Sequence, residues 1–156
     1  PDPKVDYRET LEGLRALLDE GLVEAVGLSN ANPDQIRLAV EVVGDGLVAV
    51  QNQFSPAFRS SQPEIDLCAE LGLAFLAWSP LGGMAKAGDL GSQWSAFAEV
   101  AAKHRVSPQQ VCLAWELALS PAVIPIPGAS RPESVADSVR AADLVLDDED
   151  LARLSG

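Results

Sequence analysis

The chain is short of positive charge, nearly free of sulfur, and has no long apolar run. Eleven Lys and Arg stand against 23 Asp and Glu, a formal net charge of −12 over 156 residues. Nucleic acids and anionic membrane surfaces are held by basic patches, so this balance excludes both as partners. An anionic ligand must instead be gripped by local dipoles and one or two cations. The two cysteines, Cys68 and Cys112, fall inside helical patterns without metal-ligand spacing. They read as reduced, buried thiols of a cytoplasmic protein, and no metal site is expected. The single histidine, His104, sits near a helix end, where it meets the negative end of the helix dipole. No apolar run reaches transmembrane length and no basic-then-apolar leader opens the chain. Pro1 is not an initiator methionine, so the start is expected upstream or to have been removed.

Against these shortages stands a hydrophobic fraction of 47%, which rules out disorder and supplies one core for one domain over residues 1–156. Helical and strand patterns alternate along it. Asp6 with Glu9 resembles a capping box ahead of a helix from about Tyr7 to Glu20, and Gly21 stops it. Val23 to Leu28 reads as a strand closed by Ser29-Asn30. Asn32-Pro33 opens a second helix with Ile36, Ala39, Val40 and Val43 on one face. Leu47 to Val50 is the next strand, running on through Gln51-Asn52-Gln53. Ser61 with Glu64 is expected to cap a third helix, ended by Gly72. Leu73 to Trp78 is a buried strand that opens into Ser79-Pro80-Leu81-Gly82-Gly83.

After a less regular segment, Trp94, Phe97, Val100 and Ala101 mark a helix to about Lys103. Ser107-Pro108 caps another. Val123 to Ile126 is a fourth strand, followed by a helix capped by Ser130 with Glu133 and a short one over Asp147 to Leu154. The order α-β-α-β-α-β-α-α-β-α-α predicts parallel strands joined by helical crossovers.

In such a fold the strand C-termini all point to one side. Ser29-Asn30, Gln51-Asn52-Gln53 and Trp78-Ser79 therefore converge. An amide donates and accepts, which suits a carboxamide, and Trp78 offers a flat apolar face to a planar ring. Singly each is an ordinary turn residue or core aromatic; three at equivalent places on successive strands are a stronger signal. The fourth exit, Pro127-Gly128-Ala129-Ser130-Arg131, leads into a helix N-terminus, where free N–H groups favour a phosphate. Ser130 and Arg131 add a hydroxyl and a cation, or else serve merely as N-cap and solvated charge.

Four stretches, Gly27-Leu28-Ser29-Asn30, Gln51-Asn52-Gln53-Phe54-Ser55-Pro56, Trp78-Ser79-Pro80-Leu81-Gly82-Gly83 and Ile126-Pro127-Gly128-Ala129-Ser130-Arg131, resemble the aldo-keto reductase family in order and spacing. Pro1-Asp2-Pro3 resembles the stretch after the family's fourth barrel strand. The resemblance implies an α/β fold of the parallel (β/α)8 TIM-barrel type, of which this chain carries the last four β/α units, strands five to eight. A full barrel needs roughly 250 residues or more. It implies NADP(H) as cofactor. Ser29, Asn30 and Gln53 would hold the nicotinamide carboxamide, and Trp78 would stack on its ring. Ser79, Leu81 and Gly83 would line the pyrophosphate, with Ala129, Ser130 and Arg131 at the adenosine end and its 2′-phosphate. Pro80, Gly82, Gly128, Ser134, Asp137 and Ser138 complete the implied cofactor set. Ser134 stands where the family often has Gln or Arg, Ser138 where it has Asn, and Met84 to Gln93 lacks the usual leucine- and glycine-rich continuation.

The family's catalytic Asp, Tyr, Lys and His belong to the first half, so no catalytic residue is assigned here; Tyr7, the single tyrosine, follows that half. The implied reaction is hydride transfer between NADPH and a small aldehyde or ketone. The chain's partner is then an N-terminal half or a second copy. The alternative is a non-catalytic half-barrel, a scaffold or regulatory module with a vestigial nucleotide site.

Overall fold

The computed structural model describes Asp2 and residues 4–83 and 90–156. The comparison drawn for Pro1-Asp2-Pro3 and most of that drawn for Met84 to Gln93 lie outside the described residues. Four strands form one parallel sheet in the order β1 (Val26–Ser29), β2 (Leu47–Gln53), β3 (Ala74–Trp78), β4 (Val123–Ile126). Helices α1 (Tyr7–Asp19), α2 (Pro33–Val43) and α3 (Gln62–Leu71) alternate with the first three. Between β3 and β4 lie α4 (Leu90–Gln93), α5 (Ser95–His104) and α6 (Pro108–Leu119), and α7 (Pro132–Val139) and α8 (Asp148–Ser155) close the chain. The one-turn α4 and two 3₁₀ turns, 44–46 and 140–143, are additions to the expected order.

β1 starts later than expected. Gly21, at φ 67°, ends α1 by donating to Leu18 O, and Leu22 N donates to Leu17 O. That paired closure takes Leu22 and Val23 into the cap, leaving Leu22 65% exposed and no strand before Val26. Ser61 sits at the N-cap of α3 but makes no capping hydrogen bond, contrary to expectation. Asp6, Asn32, Ser107 and Asp147 do cap, and Asn32 and Asp147 form reciprocal boxes with Gln35 and Asp150.

The two faces of the sheet differ. Leu28, Val50, Phe75 and Val123 stand in register and are all buried. On their side Phe54 stacks on Trp115 with centroids 5.8 Å apart, and Phe75 and Phe97 meet this pair edge-on. On the opposite face the layers Ser29, Gln51, Leu76, Ile124 and Gln53, Trp78, Ile126 stand in register, and none of these side chains is buried. Alternation along a strand sends neighbours to opposite faces, so a sheet covered on one side only carries this pattern.

Candidate functional site

The polar rim lies where β1, β2 and β3 end. β1 leaves the sheet through Asn30, whose φ of 53° is left-handed. Such a backbone is uncommon for a residue with a side chain, and Asn tolerates it better than most. The conformation is held from two sides. Asn30 N donates to Gln51 O at 3.0 Å. The buried Asn52 amide then takes both backbone groups of the next residue: Ala31 N donates to Asn52 Oδ1 at 3.1 Å and Asn52 Nδ2 donates to Ala31 O at 2.8 Å. Across β2, the indole Nε1 of Trp78 donates to Asn30 Oδ1 at 3.2 Å. Gln53 is the register partner of Trp78 and shares its open face. Ser29, Asn30, Gln53 and Trp78 are thus brought to one rim, as their strand positions require.

The β3 exit coils tightly. Ser79, Gly82 and Gly83 have φ of 54°, 80° and 95°, and Gly82 N closes a turn onto Ser79 O at 2.9 Å. Glycine meets the left-handed backbone at 82 and 83 without steric cost. Pro80 is buried and Leu81 packs against the core, so this stretch offers the rim mainly its backbone. Underneath, the Cys112 thiol lies 3.5 Å from Pro80 O, and burial pushes its pKa well up.

At the fourth exit Ser130 is not the N-cap. Arg131 occupies that place, and no side chain caps α7. Pro132 has no N–H, and Ser134 N and Val135 N both donate to Arg131 O, so in the first turn of α7 Glu133 N is the group left to meet an anion, beside the exposed Gly128, Ala129, Ser130 and Arg131. Ser134 and Ser138 are half-buried one and two turns on. Asp137 is engaged inside the chain: Ser107 Oγ donates to it at 2.6 Å, Gln110 Nε2 at 2.5 Å and Arg140 at 3.3 Å. Partial burial pushes its pKa up, but those hydrogen bonds outweigh this and leave it below the ordinary value.

Two residues of this region carry weight that the sequence reading did not give them. Asn52 is the latch on the β1 exit; period-two alternation places it on the covered face, opposite Gln51 and Gln53, where a polar side chain must find partners. Arg59 follows the β2 exit and donates to Pro56 O, Leu154 O and Ser155 O. No local pattern predicts that span.

A four-stranded parallel sheet with helical crossovers and its polar groups gathered at the strand C-termini is the arrangement of parallel α/β proteins that bind ligands at that end. The chain matches the model of the aldo/keto reductase family over residues 1–156 and belongs to that family. It is 34% identical over 155 residues to the uncharacterized oxidoreductase C215.11c of Schizosaccharomyces pombe, covering 98% of this chain and 48% of that protein. It is 35% identical over 147 residues to pyridoxine 4-dehydrogenase of Escherichia coli, covering 94% and 49%. Among solved structures, the thermostable aldo-keto reductase Tm1743 superposes with a TM-score of 0.86 at 25% identity, over 99% of this chain and 56% of that one. The aldo-keto reductase of Bombyx mori in complex with NADP gives 0.82 at 29%, over 99% and 50%. The chain spans about half the length of the relatives it matches, and its sheet is part of a (β/α)8 barrel.

Proposed function

We propose that this chain is the cofactor-holding part of an NADP(H)-dependent reductase of aldehydes or ketones. The observation that carries the reading is the rim itself: a planar indole, two amides and a serine at three strand ends, with a helix N-terminus left uncapped at the fourth. Solved relatives in complex with NADP and NADPH support the same cofactor here. The groups present fit it. The open face beside Trp78 suits a flat ring, the amides of Asn30 and Gln53 and the hydroxyl of Ser29 suit a carboxamide, and the α7 N-terminus with Ser130 and Arg131 suits a 2′-phosphate. Ser79 to Gly83 present backbone to the groups between. When bound, NADPH supplies the hydride; the chain's own residues bind and orient it. Protonation of the carbonyl oxygen needs a positioned acid. Tyr7 does not provide one, because its hydroxyl is enclosed without a partner among the described residues and burial raises its pKa. The resemblance to the family assigns the acid to another part of the complete barrel.

The test is a titration of the full-length protein with NADPH and NADH. Arg131→Ala should weaken NADPH by about 1–3 kcal/mol, the worth of hydrogen bonds to a charged group, and leave NADH nearly unchanged. Equal losses for both dinucleotides would remove the phosphate from α7. No binding of either would favour the alternative, a non-catalytic scaffold.

A further inference from the structure

Helix α7 is seated the opposite way round from an ordinary surface helix. Its apolar residues face out: Val135 is 50% exposed and Val139 66%, and no residue of the helix is buried. Its partly buried residues are Ser134, Asp137 and Ser138, which share one face at i, i+3 and i+4. Apolar burial therefore does little to hold α7, and a polar contact must fix where it lies. Asp137 makes that contact, with the N-terminus of α6. Ser107 Oγ donates to Asp137 Oδ2 at 2.6 Å and Gln110 Nε2 to Asp137 Oδ1 at 2.5 Å, and Arg140 Nη2 adds a bond to Oδ1 at 3.3 Å. Gln110 is itself buried, and Ser107 is the N-cap of α6, its Oγ accepting from Gln110 N at 3.0 Å. The first turn of α6 carries no acidic residue of its own, so the carboxylate of Asp137 supplies the negative charge that a helix N-terminus favours. Both oxygens of Asp137 are thus engaged by donors of the chain itself.

We infer that Asp137 is a positioning residue and not a ligand of the cofactor, although the resemblance counts it in the cofactor set. It clamps α7 to the N-terminus of α6 and so places Ser130, Arg131 and Glu133 N, which stand at the start of the same helix. Asp137 lies less than two turns beyond Arg131, and a helix of that length carries the placement from one end to the other. The identity of the ligand rests on the phosphate reading of α7 above; the clamp does not.

The experiment uses the full-length protein and the variants Arg131→Ala, Asp137→Ala and Gln110→Met. Gln110→Met removes a clamp donor from the α6 side, at a residue that no cofactor group is proposed to touch. NADPH, NADH and 2′-phospho-ADP-ribose are titrated against each. Asp137→Ala should weaken NADPH and 2′-phospho-ADP-ribose by about tenfold, the loss that follows when the seated arrangement of α7 falls to about a tenth of the molecules, and should leave NADH nearly unchanged. Gln110→Met should show the same selectivity with a smaller loss, and the double variant should lose no more than Asp137→Ala alone, because both act through one contact. In the ligand-free protein, amide exchange should speed up across α7 in both variants while the interior of α6 keeps its protection. Equal losses of NADPH and NADH in Asp137→Ala, with Gln110→Met unchanged, would overturn the inference, because Asp137 would then touch the adenosine common to both. So would exchange in α7 that ignores both variants. Failure of Arg131→Ala to separate NADPH from NADH would instead overturn the phosphate reading, and the exchange rates in α7 would still decide the clamp.

Discussion

Glu116 is fully buried in α6, and neither of its carboxylate oxygens has a hydrogen-bond partner among the described residues. Burial pushes its pKa up to about 9. An ionised carboxylate there would be an unpaired buried charge, so the folded protein holds Glu116 protonated at neutral pH. The consequence for stability has a definite sign. The unfolded chain releases this proton near pH 4.5 and the folded chain only near 9, so the folded state binds more protons in between. Stability is full below about 4.5, falls as pH rises through the window, and levels off above 9. Glu116→Gln removes that slope. The variant should be more stable than wild type by roughly 3 kcal/mol at pH 7 and indistinguishable from it near pH 4.5. Urea unfolding of the full-length protein at pH 5, 7 and 8.5 reads this directly; parallel curves would mean that Glu116 has found water or a cation. The residue scale is also where sequence reading reached its limit. Gln53 and Trp78 were legible because strand position alone places them. The partnership of Trp78 with Asn30 spans 48 residues and depends on which way two side chains turn, which spacing does not encode.

At the scale of elements, α8 shows how the chain ties its rim to its periphery. Its N-terminus is held by Asp150, buried within a set of donors: Lys103 Nζ at 2.8 Å, His104 Nε2 at 2.7 Å and Asp147 N at 3.3 Å. Burial alone would raise the Asp150 pKa, but these partners hold it down at about 2. Its C-terminus is capped by Arg59, which donates to Leu154 O and Ser155 O at 3.0 Å each and lies 4.8 Å over the Trp115 ring. Trp115 Nε1 adds a bond to Ser155 Oγ at 3.3 Å. Because Arg59 also donates to Pro56 O, the same side chain braces the loop that follows Gln53. Arg59→Ala should therefore cost about 2 kcal/mol, from carbonyls left without a charged donor. It should also speed amide exchange both in the last turn of α8 and over residues 54–59. Arg59→Lys should recover little, since an ammonium lacks the planar fork that reaches several carbonyls and stacks on an indole. Exchange that rises in only one of the two segments would separate them. The short helix expected over Asp147 to Leu154 is α8, with Asp147 as its N-cap. Its anchors were not legible, because they lie about 45 and 95 residues away.

The whole molecule exposes more surface than a compact protein of its mass. Its accessible area is 8765 Å² at 16.4 kDa, where a monomer of that mass is expected near 7,500 Å². The sheet face that no described residue covers, from Gln53 and Trp78 at the rim down to Ile124, which is 48% exposed, contributes to that excess. The edges are unequal. Phe75 N donates to Ala122 O at 2.7 Å, so alternation turns Ala122, Ile124 and Ile126 toward β3 and Val123 and Pro125 outward. Pro125 removes one donor from that edge, which protects it. On β1, Asn30 N bonds to Gln51 O, so Gly27 and Ser29 turn outward with donors intact. β1 is the stickier edge. A closed barrel has no edges, and its strands fill one another's inner face. The 156-residue chain expressed alone should therefore associate, through β1 before β4, and should not reduce a carbonyl, because the positioned acid is assigned to another part of the complete barrel. Light scattering should show dimers or larger species, and placing lysine at the outward position of β1, Ser29→Lys, should shift them toward monomer. A NADPH-dependent aldehyde assay on the same sample should show no turnover. A monomer with steady turnover would mean that the chain closes its own site without the other strands of the barrel.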